Sequence, residues 1–392
     1  MSDTPAAAPR SASDQAAAVL VCLDLNDEGY EESAAEALRL AASAGALRTK
    51  VIGGRRARPD PEFFAGSGKV EEIGREADAL NAATVIFNHT LSPGQQRNLE
   101  KELGRKVLDR TELILRIFAQ RAITSEGKLQ VELAQLQHLA TRLVRGWTHR
   151  ERQRGGLGKT GGPGEKQIEL DRRMIATRMR VLKGKLGELG QRRNLQRRAR
   201  SRRDVFSVAL VGYTNAGKSS LFNALVHAKA YEADRLFATL DTTTRNIWLQ
   251  GTGQVVISDT VGFIRDLPHG LVAAFRATLE ETVRADLLLH VVDSASPGRA
   301  REAEDVNKVL AEIGASDIPQ LAVWNKTDVS CLQPAVERDE YGRICRVLVS
   351  ARTGAGLAGL RGAIAEAAGP QKQAAGSPDP LPLSNISPEP SL

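Results

Sequence analysis

A chain of 392 residues with a formal net charge of +7, 42% apolar side chains and three cysteines is long enough to bury cores in two or three domains. No apolar run approaches the roughly 20 residues of a membrane span, and the N-terminus lacks the basic-then-apolar pattern of a secretory leader, so a soluble, monomeric, cytoplasmic protein is expected. Cys22, Cys331 and Cys345 are odd in number and lack C-x-x-C spacing, which excludes a disulfide scaffold or zinc site in favour of reduced thiols buried as small hydrophobes.

Residues 1–15 are rich in Ala, Ser and Pro and read as disordered. From 16 to 122 strand and helix patterns alternate. Apolar stretches at Ala17–Leu25, Arg48–Gly53, Ala83–Phe87 and Lys106–Leu108 are separated by helical spacing through Glu32–Leu40, Lys69–Leu80 and the residues after Ser92-Pro93, where Ser suits an N-cap and Pro the first helical position. This predicts a small α/β domain with a mainly parallel sheet. Nothing in it looks catalytic, and Gly66-Ser67-Gly68-Lys69 lacks the length and trailing hydroxyl of a phosphate loop.

Residues 123–203 differ in period and in charge. Leu129, Leu133, Leu136, Ala140 and Leu143 recur at intervals of four and three, and Ile168, Ile175, Leu182 and Leu189 recur every seven with Met179 and Leu186 between them. Two amphipathic helices packed as an antiparallel hairpin follow. The segment joining them carries six glycines between Gly155 and Gly164, too many for a helix. Arg145 to Arg203 holds 19 Lys+Arg against 5 Asp+Glu, a net of +14 that leaves −7 for the rest of the chain. Such a local surplus predicts a polyanion partner, with Arg150, Arg152, Arg154 and Lys159 at the glycine-rich tip as RNA-phosphate contacts. Gln191–Arg203 reads as an extended or partly helical linker.

Residues 204–369 carry the chemistry. Val208–Val211 reads as a buried strand and Ser220–Val226 as a helix, with Gly212-Tyr213-Thr214-Asn215-Ala216-Gly217-Lys218-Ser219 between them, a match to G-x-x-x-x-G-K-[ST] at every fixed position. Glycines in such a loop let backbone N–H groups converge on a phosphate, the lysine adds a cation, and Ser219 offers a hydroxyl to Mg²⁺. Strands at Arg245–Gln250 and Gln254–Ser258 flank a hairpin turn. A helix Leu271–Val283, strand Asp286–Asp293, helix Arg299–Ile313, strands Pro319–Trp324 and Arg346–Val349 and helix Gly356–Ala367 complete a doubly wound sheet. Residues 370–392 read as a disordered tail.

Three more motifs fall at strand ends. Asp259-Thr260-Val261-Gly262 suits a switch loop, the carboxylate for the Mg²⁺ shell and the Gly262 N–H for a γ-phosphate. In Asn325-Lys326-Thr327-Asp328, Asp328 can accept from two donors on the guanine edge that adenine lacks. Ser350-Ala351-Arg352 can bring a backbone N–H to the guanine carbonyl. A P-loop ATPase or small-molecule kinase is the rival class, and Asp328 argues against it; a non-hydrolysing scaffold that keeps GTP as a structural ligand is a third.

With the phosphate loop, Phe237-Ala238-Thr239-Leu240-Asp241, Asp259–Phe263 and Asn325–Asp328 together, the chain resembles the HflX family of ribosome-associated GTPases. Gly127–Ala134 and Gly162–Glu165 extend the likeness to roughly residues 17–368. The resemblance implies an α/β N-terminal domain with its helical hairpin ahead of a Ras-like P-loop GTPase domain. It implies that Phe237, Ala238, Leu240 and Asp241 form a switch I around the nucleotide, with Thr239 joining Ser219 on Mg²⁺. The implied partner is the large ribosomal subunit and its rRNA, with the hairpin tip near the peptidyl transferase centre and stalled 70S ribosomes split or rescued; an assembly or RNA-binding switch without splitting is the alternative. Where the family has Asp-Pro-Thr-Thr-Arg this chain has Asp241-Thr242-Thr243-Thr244-Arg245, and Glu165-Lys166-Gln167-Ile168-Glu169 replaces Glu-Thr-Gln-Leu-Glu. Phe263 stands where Ras-like proteins place a water-orienting Gln, so slow intrinsic hydrolysis stimulated by ribosomes is expected. The Gly262 backbone and Asn215 are the remaining catalytic candidates, and Asn215 either helps hold a K⁺ ion or only braces switch I.

Overall fold

The computed structural model describes residues 17–26, 29–145, 163–201, 205–226, 236–237, 239–265 and 276–369. The ends read as disordered, the tip residues Arg150, Arg152, Arg154 and Lys159, and Ala238 lie outside the described residues.

The N-terminal unit runs β1 (Ala17–Asp24), α1 (Tyr30–Ser43), β2 (Arg48–Arg55), α2 (Ser67–Ala79), β3 (Thr84–Phe87), α3 (Pro93–Leu103), β4 (Lys106–Leu108) and α4 (Arg110–Arg121). Its four strands pair in the order β2-β1-β3-β4, all parallel. Because successive side chains of a strand point to opposite faces, β1 serves two cores. Val19, Val21 and Leu23 pack with Ile73 and Leu99, and Leu20 and Cys22 pack with Leu40 and Ile114. At α3 Ser92 accepts the Gln95 N–H at 3.2 Å and the Gln95 side chain accepts the Ser92 N–H at 2.9 Å, a reciprocal cap that fixes where the helix starts.

Helix α4 is absent from the sequence reading. Asp109-Arg110-Thr111-Glu112 is a polar run that hides its first turn, yet Asp109 accepts the Glu112 N–H at 2.8 Å as an N-cap, and the Asp-x-x-Glu spacing was the available signal. The buried Asp109 carboxylate also takes Arg142 at 2.5 Å, which pins the next helix to this domain.

That helix, α5 (Ser125–Arg145), pairs with α6 (Pro163–Ser201). On α6 Leu182 is fully buried and Ile175, Met179, Leu186 and Leu189 are partly covered, while Arg172, Arg180, Lys183 and Lys185 are exposed. The seven-residue spacing therefore marks the packed stripe and leaves the bases outside. Arg178 reaches across to Glu132 at 2.6 Å. Helix α6 continues to Ser201, so of the two forms expected for Gln191–Arg203, extended or partly helical, the helical one is found over most of the stretch.

The second unit contains β5 (Phe206–Gly212), α7 (Lys218–Val226), β6 (Thr243–Leu249), β7 (Gly253–Asp259), α8 (Arg276–Val283), β8 (Leu287–Asp293), α9 (Arg299–Ile313), β9 (Gln320–Asn325), α10 (Thr327–Ser330), β10 (Ala335–Arg338), β11 (Ile344–Leu348) and α11 (Leu357–Ala368). Strand order is β10-β11-β9-β8-β5-β7-β6, parallel except for β6 on β7 and β10 on β11. Strand β10 went unread because it is a short, largely exposed edge of mixed polarity. The cysteine expectation holds only for Cys22, which is buried and whose thiol is pushed up to about 11 by that burial. Cys331 and Cys345 are exposed, one after the short α10 and one on the half-exposed β11.

The two units share one apolar core. Leu40, Ile114 and Phe118 of the first belong to the same cluster as Tyr213, Phe237, Leu240, Phe263 and Ile264 of the second. The rings of Phe118 and Phe237 meet edge to face with centroids 4.6 Å apart, and the Leu236 N–H donates to Ser43 Oγ at 3.1 Å. Truncating a buried Phe costs about 3–5 kcal/mol, so Phe118→Ala is expected to lower stability by that amount and to loosen both units together. Urea unfolding followed by circular dichroism measures it, and a loss below about 1 kcal/mol would mean that the seam carries no packing.

Candidate nucleotide site

Strand β5 delivers its chain to Gly212, where only glycine fits: φ is 149° and a Cβ would collide with the Val291 carbonyl of β8. Gly217 has φ 88°, and its Cβ would occupy the place of the Asn325 amide. The loop between them can thus aim its N–H groups at one point ahead of α7, where the helix dipole also favours an anion. Lys218 curls back over the loop, donating to the carbonyls of Gly212 and Tyr213 at 3.0 and 2.8 Å. Burial pushes its ammonium down to about 8, and the Asp259 carboxylate pulls it back up.

Three oxygens converge beside it. Ser219 Oγ lies 2.7 Å from Thr239 Oγ1, and the two hydroxyls donate to Asp259 Oδ2 at 2.7 and 2.9 Å. The other carboxylate oxygen, Oδ1, is buried and meets no donor at hydrogen-bonding geometry. Burial raises the Asp259 pKa against the opposing effects of the Ser219 hydroxyl, the Lys218 charge and the Thr239 hydroxyl.

Past Asp259 the chain lies against the phosphate loop. Thr214 donates its N–H to the Phe263 carbonyl at 2.7 Å, and Phe263 donates to the Gly212 carbonyl at 3.2 Å. Gly262 sits so close that a Cβ would meet Thr214 and the Lys218 ammonium. The Thr260 hydroxyl donates to the Leu210 carbonyl at 2.6 Å, and Val261 and Phe263 are buried, so this segment faces the nucleotide side with backbone only. Asn215, at φ 63°, has a half-buried side chain.

At the ends of β9 and β11 a second cluster forms. Asn325 joins two loops, giving its amide N–H to the Ala216 carbonyl at 3.0 Å and accepting the Ala351 N–H at 2.9 Å. Ser350 Oγ holds the exposed Asp328 carboxylate at 2.7 Å, leaving its other oxygen for a ligand edge. Lys326 stretches to Asp293 at 2.7 Å, Thr327 gives its N–H to the Val349 carbonyl at 3.2 Å, and Arg352 is exposed. Of the backbone N–H groups in Ser350-Ala351-Arg352, those of Ser350 and Ala351 are engaged, by the Ala355 carbonyl and by Asn325.

The side chains of four residues expected around the nucleotide are engaged elsewhere. Phe237 and Leu240 are buried in the core shared with the N-terminal domain. The Asp241 carboxylate accepts from the N–H groups of Ile123 and Thr124, both at 2.9 Å. The Tyr213 hydroxyl donates to Glu36 of α1 and accepts the Arg265 N–H at 2.7 Å; burial, and after it the Glu36 charge, push its pKa far up, so it keeps its proton. Glu36 pairs with Arg110, which donates to the Arg265 carbonyl at 2.9 Å and to Asn88 at 2.7 Å. Glu36 and Arg110 were not singled out in the sequence, where nothing local marks two charges as buried partners 74 positions apart. A cavity of about 780 Å³ opens beside the phosphate loop, lined by carboxylates that include Glu36, Asp293 and Glu302 together with the bases Arg39, Arg265, Arg301 and Lys308.

A phosphate placed on the loop gives Lys218 the countercharge that burial withholds. A lysine whose pKa is depressed to about 8 has lost half of its protonation at that pH and most of it a unit higher, and the ligand restores it. GDP binding is therefore expected to take up a proton at about pH 8.5 and hardly any at about pH 7, with affinity declining as pH rises through about 8. Calorimetry in two buffers of different ionisation enthalpy reads this directly, and identical heats in both buffers at the higher pH would contradict it.

Three family models match successive stretches of the chain: GTP-binding GTPase N-terminal over residues 31–119, GTP-binding GTPase Middle Region over 121–200, and 50S ribosome-binding GTPase over 207–326. GTPase HflX of Escherichia coli (strain K12) is 52% identical over 350 residues, 89% of this chain and 82% of that protein. GTPase HflX of Caldanaerobacter subterraneus subsp. tengcongensis is 46% identical over 331 residues, 84% of this chain and 77% of its own. The solved structure of a GTP-binding protein from Sulfolobus solfataricus in complex with GDP is 25% identical, with a TM-score of 0.46, over 90% of this chain and 98% of that one. The phosphate loop, the Asp259 cluster and the Asn325–Asp328 corner thus stand in a chain that belongs to the HflX GTPases, enzymes that bind and hydrolyse GTP.

Proposed function

We propose that this GTPase uses GTP with Mg²⁺ to dock on the large ribosomal subunit, its basic hairpin against rRNA, and to split stalled 70S ribosomes. The observation that carries the reading is the hairpin itself. Helix α6 turns Arg172, Arg180, Lys183 and Lys185 outward, and α5 is anchored through Asp109 and Arg142 to the domain that packs on the nucleotide loops. The model name 50S ribosome-binding GTPase favours a ribosomal partner over another polyanion.

Mg²⁺ fits the Asp259 cluster, since a hard cation takes oxygen ligands and the buried Asp259 Oδ1 meets no donor at hydrogen-bonding geometry among the described residues. Ser219 and Thr239 would hold the ion and Asp259 would orient its shell; when bound, the ion neutralises charge on the terminal phosphates. The chain's own contributions are positional. The loop amides and Lys218 seat the phosphates, Asp328 selects guanine, and the Gly262 backbone faces the γ-phosphate side. Phe263 is 1% exposed and cannot reach a water, so intrinsic hydrolysis is slow until a partner surface, or K⁺ held near Asn215, orders the nucleophile. The Asn215 side chain forms no hydrogen bond among the described residues, which leaves its carbonyl oxygen for such an ion.

Asp328→Asn should exchange GTP for xanthosine triphosphate, because an acceptor becomes a donor at the base edge, and unchanged GTP affinity would refute that role. Large subunits should accelerate phosphate release, more so in K⁺ than in Na⁺ if Asn215 serves an ion. Shortening Arg154–Gly164 to a tight turn should spare GTP binding while abolishing 70S splitting in sucrose gradients. Neutralising bases of α6 should flatten the slope of log affinity against log salt, by about one unit for every rRNA phosphate that the helix no longer engages. Subunit binding without splitting by the wild-type chain would assign it to assembly instead.

A further inference from the structure

We infer that Asp241 is a positioning residue through which the hairpin arm and the nucleotide control one another. The inference rests on the reading of Thr239 as the switch I hydroxyl at the metal cluster. Thr239 and Asp241 are two residues apart, and their side chains face two different partners. Thr239 Oγ1 lies in the Ser219–Asp259 cluster, whereas the Asp241 carboxylate leaves the nucleotide domain and closes on the start of α5.

The contact has the anatomy of a helix cap supplied from another domain. Thr124 precedes α5, and its hydroxyl accepts the Gly127 N–H at 2.9 Å, as an N-cap does. The same hydroxyl donates its proton to Asp241 Oδ1, and Oδ2 takes the N–H groups of Ile123 and Thr124. A negative charge at a helix N-terminus is further favoured by the dipole. Gly127 supplies an independent mark of the same design. A glycine in the first turn of a helix is intrinsically unfavourable, yet a Cβ at this position would overlap Asp241 Oδ1. The missing side chain is the space that the carboxylate occupies.

Two consequences follow from this geometry. When Thr239 is drawn onto a metal-bound triphosphate, Asp241 is held in register to cap α5, so the base of the arm is fixed. Conversely, an arm held by its partner keeps Asp241, and with it Thr239, in place, and the ordering that GTP requires is already met. Linkage makes the two effects equal. The coupling acts through side chains at the base of the arm and does not require the Arg-rich end of α6.

The test uses the full chain, a non-hydrolysable GTP analogue with Mg²⁺, and GDP. In the wild type, amide exchange over 119–130 should be slower with the analogue than with GDP. Gly127→Ala, which by propensity strengthens α5, should erase that difference and reduce the preference for the analogue over GDP by about fivefold, in line with loss of one cap, while GDP affinity stays unchanged. Thr124→Val should act likewise, and Asp241→Asn combined with Thr124→Val should cost no more than either alone. Retained nucleotide-dependent protection in Gly127→Ala, or additive losses in the pair, would overturn the positioning role. Thr239→Ala separates this from the underlying reading. If it lowers the preference for the analogue while Gly127→Ala does not, the role of Asp241 fails alone; if it does not, the assignment of switch I fails.

Discussion

The arrangement depends on a core that does not respect the division between units. Phe118, Leu40 and Ile114 pack with Phe237, Leu240 and Phe263, and those last three residues belong to the two loops that supply Thr239 and Asp259 to the cluster at Ser219. In an isolated switch GTPase such loops end in solvent and are ordered mainly by ligand. Here their apolar members have a protein surface to lie on, so part of the ordering cost is met by burial. The same seam contains a buried ion pair, Glu36 with Arg110. A buried pair contributes little net stability against its desolvation, and Nε of Arg110 has no hydrogen-bond partner among the described residues. Its use is directional: Arg110 grips the Arg265 carbonyl while Glu36, through the Tyr213 hydroxyl, grips the Arg265 N–H. Arg265, just past the Asp259–Gly262 segment, is thereby fixed at both ends.

Legibility in the sequence tracked how local each constraint is. The phosphate loop is written in consecutive residues because Gly212 and Gly217 are demanded by φ and by close neighbours, and the heptad on α6 records a packed stripe that repeats within one helix. Parallel strands buried on both faces gave continuous apolar runs, so those strands were readable in order, while the exposed edge β10 was not. What escaped was set by distance. Helix α4 begins in a polar run whose buried members, Asp109 and Arg110, find partners at Arg142 and Glu36, and no window of neighbouring residues contains that information. Asp241 was assigned to the nucleotide because its neighbours belong to a nucleotide motif, although its carboxylate serves Thr124 in another domain. Two exposed cysteines contradicted a composition argument that suits averages better than a loop or a half-exposed strand.

The position after Gly262 ties these threads to the chemistry. A polar residue there would reach a water, but it would leave the core and loosen the bridge between Tyr213 and Phe263. Phe263 does the reverse. Its ring is buried in the shared cluster, and its backbone exchanges hydrogen bonds with the phosphate loop, so the segment at Gly262 is held as part of the fold. Such a segment is preorganised for the Gly262 N–H and unfit to order a nucleophile with its own side chain. On the proposed reading, the chain keeps the electrostatic half of the catalytic apparatus and leaves the placing of water to an outside surface or a bound cation. An enzyme divided in this way hydrolyses its nucleotide when the missing half arrives, which is the behaviour required of a factor that must stay on its target until the work there is done.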